Sequence, residues 1–135
     1  MTNANPVYLF TYGTLMQGFD NPFATKLHEN SVYEGRGHFP GMLYLISWYP
    51  GAIYDANAGS NVHGDIFRLS SPEILIPQLD EYEDVFEDEK SSLYLRKSIA
   101  VTTESSMSIN CWVYLYNQSV AGLEQISDGR FKRLV

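Results

Sequence analysis

Between Asp80 and Lys90, seven of eleven residues are acidic: Asp80, Glu81, Glu83, Asp84, Glu87, Asp88 and Glu89. Carboxyl groups at this density can solvate a loop, hold a hard cation, or exchange protons with a bound substrate. The alternating ligands and central glycine of a calcium loop are missing, so most of the run reads as a solvated face. Glu83 is set apart by its position. It follows a helical pattern whose Leu79 leads into a core, and the large, partly apolar Tyr82 stands beside it. Half burial and neighbouring negative charge both raise a carboxyl pKa towards neutrality. That suits a group that must accept a proton and then return it. Spacing alone does not separate Glu83 from Glu81.

A second chemical feature is the run Val7-Tyr8-Leu9-Phe10-Thr11-Tyr12-Gly13-Thr14-Leu15. Its first six residues suit a strand, and Gly13 permits a sharp break. A strand ending in a glycine turn exposes backbone N–H groups that can hold an anion or a carbonyl oxygen. An ordinary strand and turn fits the same letters. Other chemistries find little support. His28, His38 and His63 are widely spaced and form no HExxH-type ligand pattern. No serine lies in a GxSxG elbow, and no GxxxxGK[ST] phosphate loop is present. Asp65, inside a strand pattern, reads as a hydrogen-bonded carboxylate, and the sole cysteine, Cys111, as a buried inert thiol.

The elements that must position these groups follow from local pattern. Strands are expected at Val7–Tyr12, Met42–Ile46, Gly51–Tyr54, Val62–Leu69, Tyr94–Thr102 and Ile109–Tyr116. Asn21-Pro22 opens a short helix through Phe23 and Leu27, with Asn as cap and Pro at its first position. Ser71 caps a second, with Pro72 at its first position; its buried stripe is Ile74, Leu75 and Leu79, and Pro77 should shorten or kink it. Gly35, Gly37, Pro40 and Gly41 predict a turn-rich stretch. In the last strand, Trp112, Tyr114 and Tyr116 share one face, and Cys111, Val113 and Leu115 the other. One helical turn is expected at Val120–Ile126. Strands with two or three short helices indicate an α+β fold.

The 135 residues fit a single domain spanning 1–135. Hydrophobic residues make up 44 %, with ten Tyr, seven Phe and two Trp, so the chain can bury a core. A net charge of −7 argues against non-specific nucleic-acid binding and against docking on anionic lipid. No run is long enough for a membrane-spanning helix, and Met1-Thr2-Asn3-Ala4-Asn5 lacks the basic start of a secretion signal. The expected location is cytoplasmic, which suits a single cysteine.

Taken in order, Tyr12-Gly13-Thr14-Leu15, Leu79-Asp80-Glu81-Tyr82-Glu83 and Tyr94-Leu95-Arg96 resemble the γ-glutamylcyclotransferase-like family, closest to its small γ-glutamylamine cyclotransferase-like subgroup. Tyr49-Pro50-Gly51-Ala52, Val62–Ile66 and Trp112–Tyr116 add matching stretches. The resemblance implies a small mixed, barrel-like sheet with a central cavity. It implies conversion of a γ-glutamyl amine or amide to 5-oxoproline and the free amine, without metal or other cofactor. Glu83 would be the catalytic acid/base. Tyr12, Gly13, Thr14 and Leu15 would cradle the substrate through main-chain N–H groups. Tyr94 and Tyr116 read either as hydroxyl donors at the pocket wall or as plain structural aromatics. Arg96 reads as one half of a structural ion pair with an acidic neighbour, the alternative being a pair with a substrate carboxylate. Asp84 to Leu93 is longer than the corresponding loop of the shortest relatives and is expected to act as a lid or to reshape the leaving-group side. The rival reading is a catalytically inactive module that binds an acidic metabolite or peptide end.

Overall fold

Residues 6–132 are described by the computed structural model. The secretion-signal reading on Met1–Asn5 lies outside them. Strand β1 (Tyr8–Thr11) sends alternate side chains to opposite faces, and each face joins a different core: Leu9 one, Phe10 the other. β1 runs antiparallel to β4 (Asn61–Leu69) and parallel to β6 (Ser108–Tyr116). β6 pairs antiparallel with β5 (Tyr94–Thr103), and β4 with β2 (Ser31–Leu45). β2 meets β5 at Gly37 and His38, which closes β2, β4, β1, β6 and β5 into a five-stranded barrel. Beyond the barrel, the C-terminal part of β2 pairs with β3 (Pro50–Tyr54) and β7 (Glu124–Ile126).

The barrel is filled. Phe10, Phe39, Val62, Ile66, Val101, Cys111 and Val113 pack together inside it, drawn from all five strands. A second core lies on the outer side, under helices α1 (Pro22–Glu29) and α2 (Pro72–Tyr82). It joins Leu9, Leu27, Phe67, Leu75, Leu79, Tyr94 and Tyr114. The face alternation read for the last strand holds: Cys111 and Val113 enter the barrel, and Tyr114 the outer core. Asn21 caps α1 as expected, its Oδ1 accepting from Ala24 N at 2.8 Å.

Five local expectations are corrected. Gly35, Gly37, Pro40 and Gly41 do not mark turns but lie within the 15-residue β2. Gly35 has φ +110° at a β-bulge against β4, and a Cβ at Gly37 would sit 2.8 Å from Ile66 Cδ1. Pro40 is the last residue paired with β4 and Gly41 the first paired with β3. These residues let one strand serve two sheets, a non-local demand that turn propensity does not register. Pro77 does not shorten α2, which runs 11 residues. Burying Leu75, Ile76 and Leu79 contributes roughly 5–9 kcal/mol, more than the roughly 3 kcal/mol a mid-helix proline costs. Ile74 is 62 % exposed, and Ile76 takes its place in the buried stripe. Ser71 opens α2 without a side-chain cap bond. Residues Val120–Ile126 form a turn and then β7 rather than a helical turn, because β2 offers a strand edge there.

Candidate active site

The functional residues lie in the gap between the barrel and the end of α2. A cavity of about 200 Å³ opens where β1 ends, at one end of the filled barrel rather than in its middle. Its wall brings together Tyr12, Gly13, Thr14, Leu15, Glu83 and Tyr94, which sequence reading placed at one site. Tyr116 is not brought to that wall, because antiparallel pairing sets it beside Tyr94 and one layer back. Its ring meets Tyr94 edge-on at 5.7 Å and covers Gly51, so it supports Tyr94 from behind.

The turn after β1 is held from outside while its own donors stay unused. Asn21 Nδ2 donates to the carbonyl of Thr14 at 2.8 Å, and His28 Nε2 is 2.9 Å from the carbonyl of Leu15. Gln17 N donates to Asp65 Oδ2 at 2.9 Å. Asp65, only 2 % exposed, is also bridged by Arg36 at 2.9 Å, the structural role read for it. The Thr14 hydroxyl lies 3.0 Å from that of Tyr82, tying the turn to α2. Among the described residues no group accepts from the N–H of Gly13, Thr14 or Leu15. Three free backbone donors beside a cavity form a cradle for a developing oxyanion or a carboxylate. The φ of Gly13 is not in the left-handed region. Glycine is required because a Cβ would lie 2.9 Å from the Pro50 ring.

Tyr12 and Tyr94 present rings rather than free hydroxyls. Tyr12 Oη donates to the carbonyl of Tyr114 at 2.5 Å and accepts from Ala52 N at 3.1 Å. Tyr94 Oη donates to the carbonyl of Pro50 at 2.6 Å. Burial raises both phenol pKa values, so they remain neutral donors to the fold.

α2 delivers Glu83. Val85 N donates to the carbonyl of Asp80 at 2.9 Å and Asp84 N to that of Glu81 at 3.2 Å, the paired closure of a Schellman motif. Asp84 takes the left-handed position with φ +54°. Glu83 is the C-cap, half-buried on the cavity wall, and its carboxylate has no hydrogen-bond or ion-pair partner among the described residues. Burial pushes its pKa up to about 8, and the Asp84 charge adds to the rise. The carbonyl end of a helix also disfavours a negative charge. Glu81, by contrast, is exposed and off the cavity.

Asp80 was not separable from its acidic neighbours by sequence. It is a structural centre. Arg96 meets it bidentately at 2.8 and 3.1 Å, and Tyr114 Oη donates to it at 2.7 Å. The Arg96 guanidinium also stacks 4.3 Å from the Trp112 ring centre. The acidic loop folds on itself rather than over the cavity. Leu93 N donates to the carbonyl of Asp84, and the buried Ser92 hydroxyl accepts from Phe86 N at 2.7 Å. Only its ends, Asp84 and Leu93, reach the cavity, while the short 3-10 turn Glu89–Ser91 faces solvent. Trp48 and Tyr49, on the β2–β3 hairpin, form the rim, with Trp48 66 % exposed. Sequence reading missed Trp48; the neighbouring Tyr49-Pro50-Gly51-Ala52 was its available signal. Among the described residues no group of three or more His, Cys, Asp or Glu is placed to hold a metal ion. No helix there is long and apolar enough to cross a membrane.

A family model described as gamma-glutamyl cyclotransferase, AIG2-like, matches residues 9–133. Among solved structures, an AIG2-like protein from Mus musculus is 24 % identical with a TM-score of 0.73, over 93 % of this chain and 88 % of that one. Protein ytfP from Escherichia coli is 26 % identical with a TM-score of 0.60, over 92 % of this chain and 95 % of that one. YkqA from Bacillus subtilis is 21 % identical with a TM-score of 0.69 over 93 % of this chain. This chain spans only 39 % of the length of YkqA. No curated protein sequence matches the chain.

Proposed function

The chain belongs to the gamma-glutamyl cyclotransferase, AIG2-like family, and on that premise we propose that it converts a γ-glutamyl amine or amide to 5-oxoproline and the free amine, with Glu83 as general acid/base. The observation that carries this reading is the unpaired Glu83 carboxyl, raised to about 8, on the same cavity as three unused backbone donors. The α-ammonium of the substrate gives a proton to Glu83, and the freed α-nitrogen attacks the γ-carbonyl carbon. The N–H groups of Gly13, Thr14 and Leu15 hold the oxyanion. Glu83 then returns that proton to the leaving nitrogen and takes the second one from the ring-forming nitrogen. The γ-amide bond breaks, and the five-membered lactam remains while the amine carries the second proton away as its ammonium. The nucleophile is tethered within the substrate, so no second reactant has to be captured. Each oxyanion donor of this kind is worth about 100-fold or more. Metal and cofactor have no step to perform.

A module that only bound an acidic metabolite would gain nothing from a partnerless carboxylate in its cavity. The deciding experiment measures 5-oxoproline release from a panel of γ-glutamyl amines, with and without EDTA. Turnover that resists EDTA is expected. Turnover that vanishes with chelation and returns with zinc or manganese refutes the metal-free route. No turnover of any panel member refutes the enzyme reading in favour of the binding module.

A further inference from the structure

Thr11 ends β1, is 5 % exposed and lines the cavity. Its Oγ1 is buried and has no hydrogen-bond partner, the one such side-chain atom among the described residues. A buried hydroxyl without a partner costs stability, so a native fold keeps one where something else satisfies it. Its chain neighbour is the contrast: Tyr12 has both a donor and an acceptor for its hydroxyl. Strand alternation turns Tyr12 into the barrel core. It turns Thr11 to the face of Leu9, in the outer core that also holds Leu79, Tyr94 and Tyr114. That is the side on which α2 ends at Glu83.

We propose that Thr11 is a substrate-positioning residue whose Oγ1 accepts a hydrogen bond from the reacting nitrogen of the ligand, the α-nitrogen of the γ-glutamyl group and the ring N–H of 5-oxoproline. The inference rests on the reading under Proposed function. The oxyanion is served by backbone donors of the turn, and the nitrogen must lie towards Glu83, which takes its proton. An acceptor on that side holds a remaining N–H and leaves the lone pair aimed at the γ-carbonyl.

Thr11→Val keeps the shape and removes the acceptor, and Thr11→Ser keeps the hydroxyl. Calorimetric titration with 5-oxoproline and with its ring-oxygen lactone analogue, alongside thermal melts, tests the contact. Thr11→Val is expected to weaken 5-oxoproline binding about 5- to 15-fold. It should leave lactone binding unchanged and hold or raise Tm, because the orphan hydroxyl is gone. Thr11→Ser should restore most of the lactam affinity. Wild-type affinity in Thr11→Val, equal losses for lactam and lactone, or a fall in Tm alongside affinity would each overturn the proposal, as would absence of 5-oxoproline binding by the wild type. Binding with this pattern but no turnover of any γ-glutamyl amine would uphold the contact while removing the proposed reaction.

Discussion

The last turn of α2 carries two carboxylates that the fold treats in opposite ways. Asp80 is enclosed by Arg96, which is itself stacked on Trp112, and by the Tyr114 hydroxyl. Three residues on, Glu83 faces a cavity with no partner and holds its proton up to about pH 8. Both stand at the carbonyl end of one helix, so the helix does not explain the difference. Neighbours do. A carboxylate that is fully paired is fixed and inert, while one denied partners is left able to exchange a proton near neutrality.

The sharpest way to break this contrast is Glu83→Gln. Turnover should fall about 1,000- to 10,000-fold, since one group serves two proton transfers, while binding of 5-oxoproline largely persists. Wild-type kcat/KM should rise through about pH 8 as Glu83 ionises, and this limb should be missing in the variant. Stability should move the other way. The unfolded chain releases this proton near 4.5 and the folded chain near 8, so stability is lost as pH rises across that window. Glu83→Gln avoids the loss, and its melting advantage should grow from about pH 5 to about pH 8. A well-folded variant with near wild-type turnover would end the assignment, and Glu81→Gln serves as the active control.

Asp80→Asn is the converse. It leaves Arg96 without its bidentate partner and should cost about 2 kcal/mol, a drop of several degrees in Tm, with kcat reduced by less than about tenfold. If Asp80→Asn abolished turnover in a protein that melts normally, the two carboxylates would not be divided as described. The smallest effect is expected for Asp84→Gly. It relieves a non-glycine left-handed residue and should raise stability by about 0.5–1 kcal/mol. It also removes the charge beside Glu83, so the acid limb of kcat/KM should shift to lower pH. An unmoved limb would show that Asp84 does not act on Glu83.

What the sequence made legible was local. Asn21 and Pro22, the strand alternation of Tyr8–Thr11 and Ser108–Tyr116, and the face of Leu75 and Leu79 each announce themselves within a few residues. Gly35, Gly37 and Gly41 misled because they lie inside a strand, where Gly37 makes room for Ile66 and Val101. Gly13 does open the turn after β1, but the demand for glycine there comes from the distant Pro50 ring. β7 forms only because β2 leaves an edge. At the site, Glu83 was nameable through a motif, but its difference from Asp80 depends on Arg96 and Tyr114, contributed by β5 and β6. Thr11 read as one more strand residue, since nothing nearby in sequence says that its hydroxyl lacks a partner.

The parallel pairing of β1 with β6 has a consequence for how the protein is made. The Tyr12 hydroxyl that anchors the cradle ends on the carbonyl of Tyr114, 102 positions later. At ribosomal speeds of about 5–20 residues per second, the emerging chain waits roughly 5–20 seconds between the two. Throughout that wait β1 has an open edge, and loop-closure entropy delays the contact further. A nascent chain stalled before β6 therefore has no closed barrel and an unanchored cradle. Neither the cavity wall nor its donors are in place before the whole scaffold has been made.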